Sequence, residues 1–364
     1  RYDTMKKTLL TICLVWMCFS LSAQKIIDLS GKWSFSIDRQ DNGEKEKWFS
    51  HTLNDCINLP GSMPEKLKGD EVTAKTQWTG SLYDSSYYYN PYMEKYRKEG
   101  NIKFPFFLTP DKHYVGAAWY QKEVNIPADW KGERILLFLE RPHIETTVWV
   151  NGQKTGMQNS LCVPHQYDIT RYVRPGKCTI TIRVDNRIKE INVGPDSHSI
   201  TDQTQGNWNG IVGRICLQTT PKTYFDDIQI YPEPEQKLAR VKVVIKGTGT
   251  AKVKLSAESF NTDKKHIVPA IQQEIKLNKG VTETEMVLPM GNDMLLWDEF
   301  HPALYKLKAE VTNGKKTEIK EIQFGMRRFE IKGKWFYVNG RKTQLRGTVE
   351  NCDFPLTGYA PMDV

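Results

Sequence analysis

The chain has 364 residues, too many for one ordinary core and enough for two or three domains, and its 39% apolar and 11% aromatic content excludes a disordered polymer. The net charge of +8 comes without a basic run of five or six residues, Lys and Arg being interleaved with Asp and Glu. That pattern describes a mixed surface and excludes a nucleic-acid footprint.

Residues Arg1 to Thr4 read as an upstream extension, because a secretory signal begins at Met5-Lys6-Lys7, continues through the apolar run Leu9 to Leu21 and exits at Ala23. The apolar run is about a dozen residues, short of the roughly 20 needed to span a bilayer. The expectation for residues 1–23 is therefore cleavage near Ala23 and export to the periplasm or the exterior, with no membrane attachment afterwards. Bulky Trp16 and Met17 ahead of Cys18 argue against a lipoprotein anchor. Of seven cysteines, Cys13 and Cys18 leave with the signal and Cys56, Cys162, Cys178, Cys216 and Cys352 remain. An odd, irregularly spaced set is no disulfide framework, and without a Cys-x-x-Cys pair no zinc site is called for.

From residue 24 to about 221 the apolar period is that of strands. Trp33, Phe35 and Ile37 alternate with polar neighbours. Cys178, Ile180, Ile182 and Val184 alternate with Thr179, Thr181 and Arg183, which predicts one buried and one wet face. Ile135 to Leu139 is continuously apolar, as in a strand covered on both sides. Val148-Trp149-Val150 runs into Asn151-Gly152, a two-residue hairpin turn. Together these predict an all-β jelly-roll sandwich. A stretch rich in Tyr and Pro, about 76–114, interrupts it as an ordered insertion with one short helix at Met93 to Lys98. Its rings suit either a sugar cleft or simple packing onto the sandwich. His143 reads as an ordinary inter-strand loop residue.

Residues 222–325 read as a second all-β unit, an immunoglobulin-like sandwich with separate strands at Val241 to Ile245, Lys252 to Ala257, Glu285 to Leu288 and Tyr305 to Val311. Residues 326–364 then carry the apolar run Trp335 to Val338 and a second Asn-Gly turn, Asn339-Gly340.

Taken in order, the motifs Gly116-Ala117-Ala118-Trp119-Tyr120, Arg134 to Glu140, Thr147 to Gly152, Tyr167-Asp168-Ile169-Thr170 and Asn207 to Gly213 resemble the N-terminal sugar-binding domain of glycoside hydrolase family 2. Leu296-Trp297 with Pro302, Leu304 and Tyr305 resembles that family's L-W-x-x-x-x-P-x-L-Y, and Phe324-Gly325-Met326-Arg327 its F-G-x-R linker. Phe336, Val338, Asn339, Gly340, Leu345, Arg346 and Gly347 fit the family's F-x-(L/V)-N-G-x-x-x-x-L-R-G at the opening of a (β/α)8 catalytic barrel. The resemblance implies a first barrel strand over about Thr343 to Thr348, the chain stopping soon after it.

What the resemblance implies about function is a retaining exo-β-glycosidase, most nearly a β-galactosidase, acting on an oligosaccharide or glycoside through two carboxyl groups. Both catalytic Glu residues are expected beyond Val364, so the 364 residues alone are expected to be inactive, and Glu350 is not drafted into either role. The substrate-binding candidates are Asp202, Trp208, Asn351 and Asp353. Asp202 stands where related enzymes carry an acidic residue that reaches the pocket, and Asn351 and Asp353 follow the first barrel strand. No cofactor is implied; a structural or active-site cation and homo-oligomerisation stay open. The alternative of a different class is a non-catalytic carbohydrate-binding pair of sandwiches. An unpaired barrel strand left with its apolar face in water disfavours it.

Overall fold

The structure, a computed structural model, describes residues 25–80, 85–104, 108–161, 163–189, 196–349 and 354–360. Residues 1–24, which contain the expected signal segment, and Cys162, Glu350, Asn351, Cys352 and Asp353 lie outside them. The chain forms two compact units, Lys25–Thr220 with the residues from Gly347 onward, and Pro221–Arg346.

In the first unit two antiparallel sheets enclose one core. One sheet runs Ile26–Asp28, Gly210–Thr220, Arg134–His143, His165–Asp168, with Gly61–Ser62 also pairing Gly210–Thr220. The other runs Gln153–Asn159, Glu145–Val150, Gly176–Asp185, Ala117–Ile126, Gly31–Asp38, Asp55–Leu59. The alternation read from the sequence fills the space between them: Trp33, Phe35, Cys178, Ile180, Ile182, Val184, Leu137 and Leu139 are all buried. Asn151 and Gly152 take φ of 50° and 76°, the left-handed pair that a type I′ hairpin turn requires, and join Glu145–Val150 to Gln153–Asn159.

The wet face expected for Gly176–Asp185 is not wet. Thr181 is 1% and Arg183 8% exposed. A loop carrying Trp48, Phe49 and Leu53 folds over the outer side of this sheet and packs on Trp119 and Trp149. The rings of Trp119 and Trp149 lie 4.9 Å apart, and Phe49 stacks on Trp149 at 5.2 Å. Beside them Arg183 is neutralised by Asp41 at 2.6 Å, Asp185 at 2.9 Å and Glu145 at 3.3 Å. Burial alone would raise the Asp185 carboxyl. Hydrogen bonds from Arg187 and Lys189 and the Arg183 charge instead hold it far below the usual carboxylate range.

The second unit is the immunoglobulin-like sandwich, built differently from the four separate strands expected. Val241 to Ile245 and Lys252 to Ala257 belong to one strand, Leu238–Ser259, which pairs along its length with Ile267–Pro289. Register slips at Gly247/Gly249 break the long ladder. Its first half pairs Tyr224–Glu233 and its second half Tyr305–Asn313, which pairs Lys316–Phe324. Odd-numbered residues point inward in both halves, from Ala239, Val241, Val243 and Ile245 to Ala251, Val253, Leu255 and Ala257.

This unit ends in a three-stranded sheet, Phe329–Lys332, Trp335–Val338 and Arg341–Thr343. Its turn is the expected one: Asn339 and Gly340 have φ of 49° and 77°. The strand expected over Thr343 to Thr348 is not formed, the ladder stopping at Thr343. A barrel strand exists only through ladders to its neighbours, and none of the described residues pairs with 344–349.

Candidate functional site

The candidate site lies at one end of the first sandwich, where the insertion, the loop 196–209 and residues 354–360 come together. The insertion folds on itself first. It contains a short α-helix, Ser86–Tyr89, and a 3-10 helix, Pro91–Tyr96, in place of the single helix expected at Met93 to Lys98. Of its tyrosines Tyr87 is buried and stacks on Phe104 at 4.8 Å, whereas Tyr89 and Tyr92 are exposed. Packing is thus the role of Tyr87, whereas Tyr89 and Tyr92 face solvent. Trp78 contacts both Phe104 and His113, at 5.0 and 4.7 Å between ring centres.

Asp202 is 2% exposed. One carboxylate oxygen accepts from the Thr79 amide at 2.7 Å and lies 3.3 Å from His113 Nε2; the other accepts from the Asn207 amide at 2.7 Å. Its backbone adds two further links, receiving the Leu108 amide at 2.8 Å and donating to the Thr79 carbonyl at 2.9 Å. Asp202 thus ties both ends of the insertion to the loop that carries Trp208. Asn207 and Asn209 brace that loop: Asn209 donates to the carbonyls of Gly116 and Val184 and accepts from the Tyr120 hydroxyl at 2.8 Å. Gly210 is required at the close approach, since a Cβ there would stand 2.4 Å from the Gly61 carbonyl.

Trp208 is 8% exposed and has neighbours on its ring. His143 stacks on it at 4.5 Å and 22°, and Tyr359 approaches at 5.5 Å. Gly358, at φ of 82°, sits so close that a Cβ would lie 2.5 Å from the indole. His143 is therefore no ordinary loop residue, because it lies beneath the indole. Its burial lowers its pKa to about 4, so at neutral pH it is an uncharged ring. Residues 354–360 are held by the Ser62 hydroxyl, which donates to the Thr357 carbonyl at 2.5 Å, and by the Tyr359 hydroxyl, which donates to Glu65.

Asp202, Asn207, Trp208, His113, Pro355 and Gly358 together line a small cleft of about 10 Å³, the room of a single water. Two of the four sequence candidates, Asp202 and Trp208, are thus brought to one place; Asn351 and Asp353 fall outside the described residues. His113, Thr79, His143 and Tyr359 were missed. Their partners are 89, 123, 65 and 151 residues away along the chain, and no local pattern announces such pairs.

The architecture is thus two successive β-sandwiches, the first of which gathers a carboxylate and an indole at one loop end. Residues 26–221 match the family model described as "Glycosyl hydrolases family 2, sugar binding domain", and residues 223–327 that described as "Glycosyl hydrolases family 2". The chain belongs to glycoside hydrolase family 2. It is 24% identical over 355 residues to a β-glucuronidase of Paenibacillus borealis, covering 92% of this chain and 51% of the relative. It is 25% identical over 281 residues to a β-galactosidase of Thermoanaerobacter pseudethanolicus, covering 72% and 35%. A solved β-glucuronidase of Ruminococcus gnavus in complex with D-glucuronic acid shares the fold at a TM-score of 0.61 and 19% identity, over 89% of this chain and 50% of that one. The chain spans about half the length, or less, of these relatives.

Proposed function

We propose that the chain is the N-terminal, accessory half of an exported retaining exo-β-glycosidase, whose catalytic Glu pair is supplied by a barrel that follows. The observation that carries this is the order and extent of the two family matches, residues 26–221 and then 223–327, in a chain that covers 51% of a relative named β-glucuronidase and 35% of one named β-galactosidase. In this reading one Glu protonates the leaving oxygen and the other attacks the anomeric carbon, while the first sandwich shapes the approach to the pocket. β-Galactosides and β-glucuronides are the two substrate classes that the relatives' names support, and the galactoside preference implied by the motifs is one of the two. The leader Met5 to Ala23 supports export.

The test is the complete reading frame assayed on a panel of aryl β-glycosides, with the anomer of the first-formed product read by NMR. Turnover of the β-galactoside or the β-glucuronide with retention is expected. Turnover of neither, or inversion, would remove the proposal. The 364-residue chain assayed alone should be inactive on the same panel. N-terminal sequencing of the exported protein should begin at Gln24; an intact Met5 in the mature protein would count against export.

A further inference from the structure

A groove of about 900 Å³ runs along the insertion, between Glu71–Ala74 on one side and Arg97–Phe104 on the other. Small-molecule sites span roughly 300–1,000 Å³, so this groove stands near the upper limit and has room well beyond one sugar ring. Leu108, Pro110 and Pro355 line both the groove and the cleft at Asp202 and Trp208. The groove and the cleft are therefore neighbours that share a wall, and Pro355 of residues 354–360 belongs to both.

The wall is built, not draped. The Tyr87 hydroxyl donates to the Tyr96 carbonyl at 2.8 Å, the Arg97 guanidinium donates to the Tyr87 carbonyl, and the Lys103 amide donates to the Tyr96 carbonyl at 3.1 Å. Its far end is pinned where the Leu108 amide meets the Asp202 carbonyl. The lining charges are Arg97 and Lys103 against Glu71, Glu99 and Asp111, and Glu71 is already paired with Lys112. Two cations and two carboxylates remain, so a polyanionic chain gains no net attraction, while hydroxyl groups find both donors and acceptors.

We infer that this groove is an extension subsite that holds the neutral remote sugars of an oligosaccharide. The inference rests on the glycosidase reading above and goes beyond it, since it assigns a place and a chemical class to the part of the substrate distant from the bond cleaved. The groove contributes to transition-state binding for long substrates and nothing for aryl monoglycosides.

The experiment uses the complete enzyme with pairs of substrates that share a terminal galactose or glucuronic acid, in each pair a nitrophenyl glycoside and a tetrasaccharide whose other three sugars are neutral. Ala74→Trp fills the groove. It should lower kcat/KM for the tetrasaccharide by about tenfold or more, mainly through KM, and leave the nitrophenyl glycoside within about twofold. Equal losses on both substrates of a pair, or no loss on either, would overturn the subsite. Should Ala74→Trp fail to fold, Glu99→Trp at the exposed rim makes the same comparison. An enzyme that turns over neither pair sinks the glycosidase reading, and titration calorimetry with the tetrasaccharides then decides the groove alone: binding weakened by Ala74→Trp supports it, and no binding ends it. A polyuronate of equal length that binds as tightly as the tetrasaccharides would overturn the assigned class.

Discussion

Asp202 shows how one side chain can organise a site by bonds to backbone. Both of its oxygens are engaged by amides of its own chain, from Thr79 and Asn207. Charged hydrogen bonds of this kind are worth roughly 1.5–3 kcal/mol each, and removing the acceptor strands two donors. Asp202→Ala should therefore destabilise the first unit by about 2–4 kcal/mol in urea unfolding; a loss below about 0.5 kcal/mol would mean that the loop holds itself. His143 makes a separate prediction at the same scale. Its folded pKa of about 4 lies below the ordinary 6.5, so the unfolded chain binds the extra proton between those values. The stability contributed by the neutral ring is present above pH 6.5 and is lost as pH falls toward 4. Between pH 7 and 5 this group should cost about 2 kcal/mol. His143→Phe keeps a ring on Trp208 without the titration, and urea midpoints at pH 7 and 5 should differ less for it than for the wild type.

At the scale of elements, the junction between the second sandwich and the terminal hairpin depends on a glycine without unusual torsions. A Cβ on Gly325 would lie 2.9 Å from the Trp297 side chain. Trp297 in turn donates its amide to the Met326 carbonyl at 3.0 Å and carries the Arg327 guanidinium over its ring at 4.6 Å. The Leu296-Trp297 and Phe324-Gly325-Met326-Arg327 segments are thus packed on each other in this chain. Gly325→Ala should destabilise the second unit by about 1–3 kcal/mol through overpacking, read by thermal unfolding. Asn339 locks the hairpin that follows: its side chain accepts from the Arg328 amide at 2.9 Å and donates to the Trp297 carbonyl at 2.9 Å. Asn339→Ala loses both bonds and, after glycine, the side chain that best tolerates positive φ, so a drop of about 1–3 kcal/mol is expected.

At the scale of the molecule, the longest exposed run among the described residues is Gln344–Val349, which is outside any ladder, with Val349 98% exposed. Trypsin should cut early after Arg346, followed by mass spectrometry, while Lys25–Thr220 stays intact; early cuts within Ala117–Ile126 would contradict the packed sandwich. Residues 344–349 thus lack support, whereas 354–360 pack on Trp208 and Ser62. Most of the fold was legible because its signals are local. A period of two marks a strand that has one buried face wherever it pairs, and Asn-Gly forces a tight turn whatever surrounds it, so both hairpins and both sandwiches could be read from the residues alone. The family could be read as well, since its motifs are short and ordered along the chain. Tertiary structure alone decided what covers what: that Trp48 and Phe49 close the outer sheet face beside Thr181, that two apparent strands are one whose register slips at Gly247 and Gly249, and that Asp202, Trp208 and His113 share one cleft. Those outcomes depend on contacts between residues tens to hundreds of positions apart, and such contacts are chosen by the packing of the whole core, which leaves no mark in any single stretch of sequence.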